Sequence, residues 1–137
     1  MGAAKALKAL SEVPAENRNS KTEATIKAGA EYFLKHHIYK KSHELTKVSK
    51  PGWMKFGFPL MYQTDALEIL GILAGLGYKD ERMQDAIELT ISKQNTLGRW
   101  KLENTCNGRY QTNIERKGED SKWVTLKALT ALKEYCG

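Results

Sequence analysis

Residues 94–100 read Gln94-Asn95-Thr96-Leu97-Gly98-Arg99-Trp100, a Q-x-x-x-G-x-W spacing that constrains the fold more than any other stretch of the chain. A glutamine amide both donates and accepts, so it suits the backbone groups that a helix end leaves open. Glycine at 98 supplies a turn with φ > 0, and the indole at 100 is large enough to cover the junction. Gln94, Gly98 and Trp100 therefore read as a structural turn motif that locks a helix to the next segment of the chain.

Helical periodicity surrounds this turn. Residues 3–11 are Ala, Leu and Lys, strong helix formers, and end before Pro14. A second helix is expected over 20–37, with Ser20 as N-cap, Glu23 at capping-box spacing, and Ile26, Ala30, Phe33 and Leu34 on one face. Residues 62–76 are apolar around nearly the whole circumference, which predicts a helix buried on most sides and closed by Gly75 and Gly77. Asp80 opens a half-exposed helix over 80–93, and a last helix runs from about Ser121 to Tyr135. Residues 38–61 break the pattern as a long basic connection, the kind that is usually functional or disordered.

These helices repeat in pairs. Leu67-Glu-Ile-Leu70-Gly-Ile-Leu73 matches Leu126-Lys-Ala-Leu129-Thr-Ala-Leu132 at an offset of 59 residues, and Lys27–Tyr32 matches Gln84–Leu89 at 57. Units of roughly 60 residues, each with a buried and an amphipathic helix, predict an all-α chain of tandem αα-hairpins. No strand periodicity competes with that reading. Residues 1–137 are long enough for a single domain with its own core.

Several segments carry a resemblance. Lys50-Pro51-Gly52-Trp53 with Phe58-Pro59, Asp65-Ala66-Leu67-Glu68, Gly98-Arg99-Trp100 with Leu102-Glu103, and Ser121-Lys122-Trp123-Val124-Thr125-Leu126 resemble microbial proteins with prenyltransferase/squalene-oxidase-type repeats. More widely, the chain resembles the α/α-toroid superfamily of squalene and terpenoid cyclases and protein prenyltransferases. The resemblance implies a partial α/α-toroid of about five helices, the C-terminal portion of a longer ring, and a module that binds an apolar or isoprenoid ligand or a protein partner. It implies as alternatives an isoprenoid-handling enzyme completed by missing repeats or another subunit, and it leaves self-association or a further toroid segment as expected partners.

The family's chemistry has no clear counterpart. Its acid-initiated cyclases carry Asp-x-Asp-Asp, and here Asp65 stands alone as the one catalytic candidate. Its zinc enzymes use Asp-x-Cys and a later His, whereas Asn104-Thr105-Cys106 lacks the carboxylate and no histidine comes after it. Three protein ligands are needed for a catalytic zinc site, so neither metal nor cofactor is expected. Whether the chain is an enzyme stays open at this level. The helix dipole at Asp65 favours its ionised form, which suits a helix-stabilising role better than proton donation. Trp53, Phe58, Tyr62, Trp100, Tyr110 and Trp123 are candidates for lining an apolar ligand cavity, or for sealing helix ends.

The formal charge is +6, and it is localised. Lys35, Lys40, Lys41, Lys47, Lys50 and Lys55 face only Glu44 in the window 35–55, which is six minus one, or +5. This basic patch is either a solvated loop or an attractor for an anionic macromolecule, a helical-repeat scaffold being the third functional alternative. Aromatics do not interleave with Arg there, so nucleic acid is not the expected partner. His36, His37 and His43 add to the basic end of a helix and are not read as metal ligands. No apolar run is long enough to span a bilayer, and Met1–Leu7 lacks the order of a secretory signal. Cys106 and Cys136 then read as a reduced pair in a cytoplasmic protein.

Overall fold

The computed structural model describes residues 2–61, 63–105 and 112–137. Among them the chain forms α1 (Gly2–Ser11), α2 (Ser20–Lys35), β1 (Lys40–Lys41), β2 (Glu44–Val48), α3 (Ala66–Gly75), α4 (Gln84–Ser92), β3 (Trp100–Lys101), β4 (Asp120–Ser121) and α5 (Lys122–Cys136).

The expected helices are present, and their ends obey local chemistry. Asn19, not Ser20, caps α2, its side chain accepting from the Thr22 amide at 2.8 Å. Asp65 caps α3 and so starts it four residues later than the apolar run suggested. Gly77, at φ +90°, ends that helix, with its amide donating to the Ala74 carbonyl and the Tyr78 amide to Leu73. Asp80 caps a short 3-10 turn over Glu81–Met83 that precedes α4.

Two antiparallel two-stranded sheets overturn the all-α expectation, and the fold is mixed α and β. β1 pairs with β2 through Lys40–Val48 and Lys41–Glu44, with an irregularity between the two pairs. β3 pairs with β4 through Trp100–Ser121 and Lys101–Asp120. Most of these strand residues are charged, and all but β2 are two residues long, so no alternation of polar and apolar side chains announced them.

The core centres on α3, where Ala66, Leu67, Glu68, Ile69, Leu70, Ile72, Leu73 and Ala74 are all buried. It packs between α1 and α5, with α4 against it as well. The start of α3 lies near Lys127, and its end at Gly75 lies against Glu134, so α3 and α5 run in the same direction. Arg82, in the 3-10 turn before α4, ties it to α2, its guanidinium donating to both Glu31 carboxylate oxygens at 2.7 and 3.1 Å, and His37, two residues past α2, places its Nδ1 2.8 Å from Asp85 Oδ2 of α4.

The two return loops meet in a parallel bridge between Gly57 and Asn104. The Phe56 carbonyl accepts from the amides of Glu103 and Asn104, and the Phe58 amide donates to the Asn104 carbonyl. A Cβ on Gly57 would lie 2.7 Å from that carbonyl oxygen, so only glycine permits this approach. No helix among the described residues is long and apolar enough to cross a membrane.

Candidate functional site

In the turn after α4, Asn95 is the side chain that bonds the backbone. Gly98 has φ +75°, and Trp100 is 1 % exposed, its indole N–H donating to the Thr90 carbonyl at 2.7 Å. The backbone N–H groups of Leu97 and Arg99 both donate to Asn95 Oδ1 at 3.0 Å, and Asn95 Nδ2 donates to Asp120 at 2.8 Å. Among the described residues the Gln94 side chain has no hydrogen bond to this turn; its Nε2 stands 3.5 Å from where a Gly98 Cβ would be. The amide one residue on, at Asn95, is the one that reaches the turn's own N–H groups.

Asp65 is almost fully buried, and both its oxygens are engaged. Oδ1 accepts from the Glu68 amide at 2.7 Å and Oδ2 from the Gly57 amide at 3.0 Å. Burial pushes its carboxyl up to about 6, against those two donors and the Lys127 ammonium. The dipole argument that favours ionisation is therefore outweighed by desolvation. Burial lowers Lys127 in turn, against the charges of Asp65 and Glu68.

The aromatic candidates divide. Phe58 and Trp123 stack with centroids 5.2 Å apart and planes 14° off parallel, and Lys127 Nζ lies 5.2 Å from the Phe58 ring. Trp53 sits apart, 6.5 Å from Phe33 and with Lys50 Nζ at 5.4 Å. Trp100 belongs to the core, and Tyr62 and Tyr110 lie outside the described residues, as does Cys106. Cys136 is exposed with a free thiol.

The basic window is partly neutralised. Lys40 reaches Asp85 at 3.1 Å and Lys47 reaches Glu44 at 3.3 Å. Lys35 ends α2, Lys41 lies in β1, and Lys50 and Lys55 bracket the 3-10 turn Pro51–Met54. No group of three or more His, Cys, Asp or Glu is placed to hold a metal among the described residues.

The feature that sequence reasoning missed is a groove of about 460 Å³ over α3. Leu67, Gly71, Ile72 and Gly75 form its floor, Leu126 and Ala131 of α5 one wall, and Lys8 and Ser11 of α1 the other. A Cβ on Gly71 would meet nothing within 4 Å, so the glycine leaves this space open. Gly71 and Gly75, four apart in an otherwise bulky apolar helix, were the available signal. Glycine costs helix stability, so its place in a buried helix asks for a packing reason.

One end of the groove is charged. Lys5 Nζ donates to both oxygens of the buried Glu68 at 2.9 and 3.1 Å, and Lys8 Nζ stands 3.7 Å away. Lys127 adds a third ammonium beside Asp65 and Glu68, and of these groups Lys8, Lys127 and Glu68 line the groove. Glu12 and Glu134 line the groove farther on. None of Trp53, Phe58, Trp100 and Trp123 lines it.

No family model matches the chain, and neither a curated protein nor a solved structure does. Around Asp65 the two return loops and the start of α5 come together. Asp65 holds Gly57, Phe56 pairs with Glu103, and Phe58 stacks on Trp123.

Proposed function

We propose that this chain is a cytoplasmic binding module that holds a small apolar molecule, of isoprenoid or similar chain-like character, in the groove over α3. The observation that carries this reading is the groove itself. Its volume of about 460 Å³ falls within the range of small-molecule sites, and its floor is apolar where Gly71 withholds a side chain. The lysine-rich end gives a ligand one polar terminus to orient on, while the rest of the cleft removes apolar surface from water. Asp65 does not line the groove, and both its oxygens accept backbone N–H groups, so no chemistry is assigned to it.

The test is titration with dansylundecanoic acid, then displacement with farnesol. Saturable binding is expected for the wild type and for Gly71→Ala. Gly71→Phe, which fills the cleft, is expected to weaken binding at least tenfold while its far-ultraviolet circular dichroism is unchanged. Failure of the wild type to bind either probe, or equal binding by Gly71→Phe, would overturn the reading.

A further inference from the structure

The internal repeat sets up a comparison between α3 and α5. At the offset of 59, Leu67 corresponds to Leu126 and Leu70 to Leu129. In α3 these leucines are 2 % and 0 % exposed, whereas Leu126 and Leu129 are 56 % and 47 % exposed. The same sequence positions thus bury fully in one helix and face water in the other.

The neighbours account for the difference. α3 has a helix on each flank, α1 and α5. Among the described residues α5 packs on α3 along one flank, on the short β3 and β4, and through Trp123 and Lys127 on Phe58. Beyond Leu126 and Leu129 lies a second open groove of about 450 Å³, whose rim includes Thr125, Lys122, Arg99 and Asp120. Contiguous exposed leucines beside such a cleft, on a helix whose repeat partner is covered, describe an interaction surface.

Charge selects the occupant. Lys122 and Lys133 stand one turn before Leu126 and one turn after Leu129 on α5, and the whole chain is +6. The acids near the rim are engaged locally: Asp120 accepts from Asn95 and faces Arg99 at 3.9 Å, while Glu115 accepts from Ser121 and from the Lys122 amide. A second copy would bring like charge against like, whereas an acidic partner gains attraction.

We infer that the open flank of α5 docks an amphipathic helix of a partner protein, with a leucine-type apolar stripe seated on Leu126 and Leu129 and acidic residues flanking it. This is the helix-in-groove mode, and the partner takes beside α5 the place that α5 takes beside α3. The surface is separate from the ligand groove except at Leu126, which borders both.

The probe is a fluorescein-labelled, 18-residue designed helix with a leucine stripe and glutamate flanks, compared with the same helix carrying lysine flanks. Anisotropy should show the acidic peptide binding at least tenfold more tightly, with affinity falling as salt rises. Leu129→Ser and Lys122→Glu should each weaken binding several-fold, and Gly71→Phe should leave it unchanged, since that variant blocks only the other groove. Leu129 is half exposed, so circular dichroism should show its variant folded. Equal binding of the two peptides, or insensitivity to Leu129→Ser, would overturn the inference. So would a concentration-dependent dimer in sedimentation that Leu129→Ser dissolves, because a second copy would then be the occupant.

Discussion

The Gly57 amide donates to Asp65 Oδ2 at 3.0 Å while the Gly57 Cα carbon rests against the Asn104 backbone, so one residue without a side chain joins both return loops to the start of α3. The other Asp65 oxygen caps α3 at the Glu68 amide. The loops and the central helix are therefore fixed together at one buried carboxyl.

Removing that carboxyl should be costly. Asp65→Ala loses an N-cap, typically about 1 kcal/mol, and leaves the Gly57 donor without its acceptor, about 1–3 kcal/mol more. Urea denaturation should show a total loss of roughly 2–4 kcal/mol. A change below about 0.5 kcal/mol would contradict the role given to Asp65.

The same residue predicts a pH dependence. Its carboxyl titrates at about 6 in the folded chain, above the ordinary value of 3.8, so between those values the folded state keeps a proton that the unfolded state has released. The group's contribution is therefore greatest below the unfolded value and declines as pH rises through about 6. Relative to Asp65→Asn, the wild type should gain on the order of 2–3 kcal/mol between pH 7 and pH 4. Urea midpoints measured in parallel across that range check it, and a pH-independent difference between the two proteins would refute it.

Gly57→Ala should destabilise by roughly 1–3 kcal/mol, because the new methyl group would sit 2.7 Å from the Asn104 carbonyl oxygen and a backbone atom has to move. Thermal melting checks this. At Gly71, where a Cβ meets open space, alanine should instead stabilise by about 0.5–1 kcal/mol through helix propensity alone.

The turn after α4 separates the motif residues by role. Asn95→Ala should cost about 1–2 kcal/mol, since two backbone donors and the link to Asp120 depend on its amide. Gln94→Ala should stay within about 0.5 kcal/mol. Chemical denaturation of the two variants side by side decides between them, and the reverse order would restore the glutamine as the lock.

Much of this architecture could be read along the chain. The helices arise from 3.6-residue apolar periods and nearby caps, and the all-round apolar run of α3 announced a buried element. Gly98 and Trp100 were legible because a positive φ and a large indole leave few alternatives. These signals are local, set by residues within a turn or two of one another.

Tertiary packing decided the rest. β3 and β4 join residues about twenty apart, Gly57 meets Asn104 because two loops converge, and the buried Glu68 has Lys5 and Lys8 reaching it from α1. The groove exists because Gly71 faces a gap between two neighbouring helices, and Leu129 is exposed where its counterpart Leu70 is buried. Local sequence sets which faces of a helix are apolar; which of those faces find a partner depends on where the other helices lie.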